Sequence, residues 1–136
     1  MKRTATANWQ GSGKDGKGTT STQSGVLNNT QYSFLSRFEE GIGTNPEELI
    51  AAAHSGCFTM KLSFVLNEAG FTADNIDTKC IITFENGAIA QSHLEVSATV
   101  PGIDEAAFSN AVLDAKENCP ISKLLNTTIT IEYKLV

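Results

Sequence analysis

Basic charge is scarce in this sequence. Ten Lys and Arg stand against fifteen Asp and Glu, giving a formal charge of −5 and a pI near 4.9. No basic run of the length that nucleic-acid binding needs is present, which argues against a nucleic-acid partner. Lys2, Arg3, Lys14 and Lys17 are scattered among Gly and Thr and read as part of a solvated N-terminal strand pair. Long apolar runs are missing as well. Nothing matches the roughly 18 to 20 unbroken apolar residues of a membrane span, and the N-terminus has no apolar signal region. The expectation is a cytoplasmic protein without a membrane partner. Cysteine is sparse, at three residues, and an odd number does not form a structural disulfide framework. In a reducing compartment such cysteines are either small buried hydrophobes or reactive thiols. The chain also lacks repeats, low-complexity tracts and linkers, so residues 1–136 read as one domain.

What is present is an ordinary globular composition, 40% apolar and 18% charged. Ala5, Ala7 and Trp9 alternate with Thr4, Thr6 and Asn8 at a strand period. The glycine-rich stretch 11–18 is not followed by a Gly-Lys-Ser/Thr helix start, so it reads as a flexible hairpin rather than a phosphate cradle. Residues 31–38 alternate again, placing Tyr32, Phe34 and Phe38 on one face and Leu35 and Arg37 on the other. A long helix then starts with Asn45 as N-cap, Pro46 at the first position and Glu48 positioned to reach back to the cap. Glu47 is left without a local structural duty. From Leu49 to Leu66 only His54 and Lys61 are ionisable, and the middle is apolar or small all round, which predicts burial on most sides. Gly70 ends the helix.

Strands follow over 76–85 and 89–100, joined by Asn86-Gly87, with Leu94, Val96, Ala98 and Val100 facing inward. Asp104 caps a second helix with an apolar stripe of Phe108, Ala111, Val112 and Ala115. Cys119-Pro120 restarts a short helix, and a last strand points Ile129, Ile131, Tyr133 and Leu135 one way. This order predicts an α+β fold on an antiparallel sheet with a buried central helix.

The three cysteines differ in setting. Cys80 lies mid-strand with no electropositive neighbour in sequence and reads as a buried filler. Cys57 follows Ala51, Ala52, Ala53, Ser55 and Gly56 in the long helix, a setting that suits either core or nucleophile. Cys119 precedes Pro120 near an N-cap, where the helix dipole favours a thiolate. His54, one turn before Cys57, is either a base or orienter, or a packed side chain hydrogen-bonded to backbone. Cys57, His54, Cys119 and His93 do not have zinc-ligand spacing.

In order along nearly the whole chain run Gly16-Lys-Gly-Thr, Ser24-Gly-Val-Leu-Asn28, Ser36-Arg-Phe-Glu39, Gly43-Thr-Asn-Pro-Glu-Glu-Leu-Ile50, Ala52-Ala-His-Ser-Gly-Cys57-Phe, Glu68-Ala-Gly-Phe-Thr72, Val100-Pro-Gly-Ile-Asp104 and Asn118-Cys-Pro-Ile-Ser122. With these motifs the chain resembles the OsmC/Ohr family of organic-hydroperoxide peroxidases, His54 favouring the OsmC branch. The resemblance implies a peroxidatic Cys57, a resolving Cys119, a catalytic Arg37 and its glutamate partner Glu47. It further implies a stress-defence peroxidase that reduces organic hydroperoxides and forms an intertwined homodimer with shared sites. No bound metal or organic cofactor is implied, and the reductant is an external dithiol of the dihydrolipoyl type, lipoylated protein or other. Two rivals are a non-catalytic binding or redox-sensing protein and a Cys/His hydrolase using His54 as base.

The chemistry explains the residue types. A thiol near pKa 8.5 is only a few per cent thiolate at neutral pH, and burial makes ionisation harder. Arg37 supplies the compensating cation, oriented by a bidentate pair with Glu47. Ten helical residues span about 15 Å, so Glu47 does not lie beside Cys57 on a straight helix. Either the helix breaks or two chains share each site, and burial of so apolar a helix in a small domain favours the second. Phe34, Ile50 and Phe58 are candidates to line an apolar peroxide pocket.

Overall fold

The computed structural model describes residues 1–136. Its elements are β1 (Ala5–Gln10), β2 (Lys17–Thr22), β3 (Thr30–Tyr32), α1 (Phe34–Phe38), α2 (Pro46–Glu68), β4 (Asn75–Glu85), β5 (Ala88–Thr99), α3 (Glu105–Asn118), α4 (Pro120–Leu124) and β6 (Thr128–Leu135). They form two compact units, Met1–Leu49 and Ile50–Val136. The expected α+β class holds, but the strands form two three-stranded sheets rather than one.

In the first unit β1, β2 and β3 pair antiparallel in sequence order. Gly18 stands between Trp9 and Tyr32 in the cross-strand register. The two rings pack over it with centroids 5.4 Å apart, and a Cβ at Gly18 would come within 2.5 to 2.6 Å of both. The strand expected over 31–38 stops at Tyr32, and residues 34–38 are helical. Ser33 and Ser36 decide this by forming a capping box: the Ser36 N–H donates to Ser33 Oγ at 3.2 Å, and the Ser33 N–H to Ser36 Oγ at 2.8 Å. Phe34 and Phe38 still share a face, now as an i, i+4 pair with centroids 5.0 Å apart.

Asn45 caps α2 as expected, its Oδ1 accepting the Glu48 N–H at 2.8 Å. The Glu48 carboxylate does not close a capping box; it accepts from Thr44 Oγ1 at 2.6 Å. The helix ends in a Schellman motif. The Phe71 N–H donates to the Leu66 carbonyl and the Gly70 N–H to that of Asn67, with Gly70 at φ 90°.

In the second unit β4 and β5 form the hairpin expected at Asn86-Gly87, whose φ values of 51° and 78° suit a tight primed turn. β6 pairs with β5 in parallel, so this sheet is mixed. The chain returns through α3 and α4 before β6, and a helical crossover of that kind permits the parallel pairing. Asp104 caps α3 by accepting the Ala107 N–H at 2.7 Å. The stripe Phe108, Ala111, Val112 and Ala115 meets Leu94, Val96, Ala98 and Val100 of the sheet side in one core, with Phe58, Leu62, Val65 and Leu66 of α2. Tyr133 stands at the rim, its hydroxyl 2.6 Å from Ser109 Oγ. No buried apolar residue of this core precedes Phe58.

The expected burial of α2 on most sides is not met within one chain. His54, Phe58, Leu62, Val65 and Leu66 are buried, while Met60 and Phe64 remain 63% and 58% exposed. By length and apolar composition alone, α2 is also long enough to cross a membrane. Its inward face nevertheless packs into the second unit's core, as in a core helix. Asn45→Ala removes both the cap and the Nδ2 donor to the Ser36 carbonyl at 2.9 Å. We expect it to lower stability by about 1 kcal/mol, read as a shifted urea midpoint at constant slope, with Asn45→Asp retaining most of the lost cap.

Candidate active site

Cys57 lies on the inward side of α2, half-buried, and Cys119 is fully buried where α3 ends and α4 begins. Both are free thiols. The backbone at Cys119 is extended, with φ −60° and ψ 126°, and its N–H donates to the Ala115 carbonyl at 2.9 Å. The same residue is the N-cap of α4, and its side chain makes no capping bond. That leaves the thiol to face another partner. Its partner is Cys57: Cys119 lies close enough to act on the ionisation of the Cys57 thiol, and the Ile121 backbone N–H from the first turn of α4 also reaches that thiol.

Electrostatics at Cys57 oppose its ionisation. Burial is the largest influence and pushes the thiol above its ordinary range; the interaction of its S–H with Cys119 as acceptor pushes the same way, as does charge repulsion between the two sulfurs. The Ile121 N–H and the Lys61 ammonium, one turn along α2, pull it down without reversing the balance. Cys80 is half-buried and also raised by burial, the Ser92 hydroxyl at 3.3 Å opposing this. It packs against the core as the filler reading expects.

Arg37 and Glu47 belong to the first unit, where they form an ion pair. Nε and Nη2 of Arg37 each approach Glu47 Oε1 at 2.9 Å. The pair is therefore not the bidentate fork expected, since both nitrogens share one oxygen, and Glu47 Oε2 is buried without a hydrogen-bond partner. Glu47 is 15% exposed and Arg37 38%. The guanidinium also lies 5.0 Å from the Phe38 ring, a cation–π contact that favours this orientation. No residue interrupts α2 between Glu47 and Cys57.

His54 is fully buried and bonded at both ring nitrogens, Nδ1 to Ser92 Oγ at 2.6 Å and Nε2 to Ser122 Oγ at 2.8 Å. Its partners are side-chain hydroxyls rather than the backbone group expected. With both nitrogens engaged, it is poorly placed to serve as a base for Cys57, which weakens the hydrolase reading. Burial depresses its pKa, favouring the neutral ring. No three His, Cys, Asp or Glu side chains converge as metal ligands. Of the residues proposed to line a peroxide pocket, Phe58 is wholly inside the core and offers no open surface, and Phe34 packs on Phe38. Reading the sequence missed the parts played by Lys61, Ile121, Ser92 and Ser122. Only Lys61, at i+4 from Cys57, had a visible signal.

The family model for OsmC-like protein matches residues 39–134. This chain belongs to the OsmC family. It is 48% identical over 133 residues to the peroxiredoxin OsmC of Escherichia coli, covering 95% of this chain and 93% of that protein. A Staphylococcus epidermidis organic hydroperoxide resistance protein-like 2 is 28% identical over 97 residues, covering 68% of this chain and 67% of that one. Among solved structures, an OsmC-like protein of Mycoplasma pneumoniae shares the fold with a TM-score of 0.78 at 12% identity, covering 100% of this chain and 98% of that one. OhrB, the organic hydroperoxide resistance protein of Bacillus subtilis, does so with a TM-score of 0.68 at 24% identity, covering 96% and 98%. The family expected from the motifs is thereby borne out, and with it the class of enzyme, a peroxidase.

Because His54 is held neutral, acidification must cost the fold. Below the ordinary histidine pKa of about 6.5 the unfolded chain takes up a proton that native His54 refuses, so stability falls as pH drops through that range and is level above it. Urea midpoints from pH 7 to 5 should show this slope, at most about 1.4 kcal/mol per pH unit. His54→Gln should flatten it. An equal slope in both proteins would contradict the assignment.

Proposed function

We propose that this enzyme reduces organic hydroperoxides through Cys57, with Cys119 resolving the oxidised product and an external dithiol closing the cycle. The observation that carries the reading is the contact between the Cys57 and Cys119 thiols, contributed by α2 and the start of α4. A thiol pair brought together from distant parts of the chain is what disulfide chemistry requires. The Cys57 thiolate attacks the outer peroxide oxygen, the O–O bond breaks, and the alkoxide leaves as an alcohol after taking a proton. Cys57 becomes a sulfenic acid. Cys119 then displaces its hydroxyl as water, forming a disulfide. A dihydrolipoyl-type dithiol, the class the family resemblance implies, exchanges with that disulfide and restores both thiols. Free thiols of this kind fit a cytoplasmic, reducing setting.

Ionisation of Cys57 is the difficulty, because its own chain holds the thiol high. Arg37 is the cation that offsets this, held by Glu47. Glu47 and Cys57 lie ten residues apart on an unbroken helix, about 15 Å, so we assign Arg37 and Glu47 to the partner's Cys57 in a homodimer with two shared sites. Two further features support pairing of chains. One is the exposure of Met60 and Phe64 on α2. The other is the lack of buried apolar residues in the first unit, too small to be stable alone without such support. In that dimer residues 1–136 act as one functional domain.

Cumene hydroperoxide turnover with dihydrolipoamide tests the reading. Cys57→Ser should abolish it, and Cys119→Ser should permit one oxidation per chain without turnover. Arg37→Ala should slow peroxide attack by about 100-fold while shifting the urea midpoint little. Normal turnover in the arginine variant would remove Arg37 from the site, and multiple turnover in Cys57→Ser would remove the mechanism.

A further inference from the structure

Beside the sulfur pair runs a second, parallel connection between the same two elements. His54 lies three residues before Cys57 on α2, and Ser122 lies three residues after Cys119 on α4. The imidazole joins them: Nε2 is 2.8 Å from Ser122 Oγ, with His54 fully buried and Ser122 nearly so. On its other side Nδ1 is 2.6 Å from Ser92 Oγ of β5, also fully buried. Helix α2 and the α4 segment are thus linked by two rungs, one of sulfur and one of imidazole and hydroxyl. A neutral imidazole has one donor and one acceptor, and a hydroxyl can play either part, so each bond survives either tautomer. Ser92 fixes the ring from the sheet, which leaves Nε2 a fixed anchor for α4.

The two rungs differ in what the reaction does to them. The sulfur rung is remade at every step, from paired thiols to a sulfenic acid facing a thiol, and then to a disulfide. During condensation the S–S bond forms, the S–O bond of the Cys57 sulfenic acid breaks, and the departing hydroxide leaves with the Cys119 proton as water. No atom of the His54–Ser122 rung changes. We propose that His54 and Ser122 are positioning residues for the resolving step. They hold α4, and with it Cys119, in register with Cys57 while the sulfur contact is broken and remade. This rests on the peroxidase reading and adds residues that act after peroxide attack, not in it. Burial lowers the pKa of His54 and so favours the neutral ring that this pair of hydroxyl contacts uses.

The test uses the full chain carrying Ser122→Ala. In single-turnover oxidation with cumene hydroperoxide, loss of Cys57 thiol should proceed within about twofold of the unmodified rate. The sulfenic acid, trapped with dimedone, should persist about tenfold longer, the factor expected for losing one buried hydrogen bond. Over-oxidation to sulfinic acid should then appear at lower peroxide excess. Ser122→Thr should restore fast condensation and the isosteric Ser122→Val should not; that pair carries the test if the alanine variant does not fold. Equal slowing of attack and condensation, no slowing of either, or a threonine variant as slow as valine would overturn the proposal. A peroxide-free measurement separates it from the reading beneath it. In dithiothreitol buffers the equilibrium constant for forming the Cys57–Cys119 disulfide should fall by about tenfold in Ser122→Ala, through lost effective concentration. Peroxide turnover with an unchanged equilibrium overturns the positioning role alone. A shifted equilibrium in a chain whose unmodified form leaves peroxide untouched overturns the peroxidase reading alone.

Discussion

The buried contact between Cys57 and Cys119 sets the terms for everything else in this molecule. It brings two sulfurs together within the second unit, where partial burial and the neighbouring Cys119 both hold Cys57 back from easy ionisation. Resolution gains from the proximity and peroxide attack loses from it, since only the thiolate attacks. A protein that uses such a pair catalytically needs positive charge close to the first sulfur. Lys61 and the Ile121 N–H supply part of that pull and leave the thiol raised.

The remaining charge has to come from elsewhere, and helix geometry limits where. Arg37 is paired with Glu47 at the very start of α2, and α2 continues to Cys57 without a break. The length of helix between them favours a site made from two chains over one made within a chain. The rest of the long helix agrees with that account. Its inward stripe is used up by the core, and its outward side keeps Met60 and Phe64 uncovered. In the proposed dimer one apolar helix therefore serves three ends: it carries the nucleophile, anchors the arginine through Glu47, and presents a face for association.

Much of this fold was legible wherever the signal was local. Asn45-Pro46 and Gly70 bracket α2, Asn86-Gly87 turns the hairpin, and the alternation from Leu94 to Ala98 names the buried face of β5. The segment 34–38 was misread because Phe34 and Phe38 share a face both at a strand period and at i, i+4; two serines, not the aromatic pattern, decide between them. The parallel pairing of β5 with β6 depends on contacts across the whole of α3 and α4, which no local pattern encodes. The same holds within the site. Cys57 and Cys119 were singled out individually by their settings and as a pair only by family resemblance. His54's partners stand 38 and 68 residues away, so nothing near His54 in sequence points to them.

The central claim, that one chain's arginine serves the other chain's cysteine, has a direct test. Arg37→Ala and Cys57→Ser chains, each nearly inactive alone, are unfolded together, refolded as a mixture and assayed for hydroperoxide turnover. If sites are shared, half of the dimers are mixed, and each mixed dimer regains one complete site of two. Activity should then return to about a quarter of the unmodified level. A mixture that forms mixed dimers and stays as inactive as its components would contradict the shared site and return Arg37 to its own chain's cysteine.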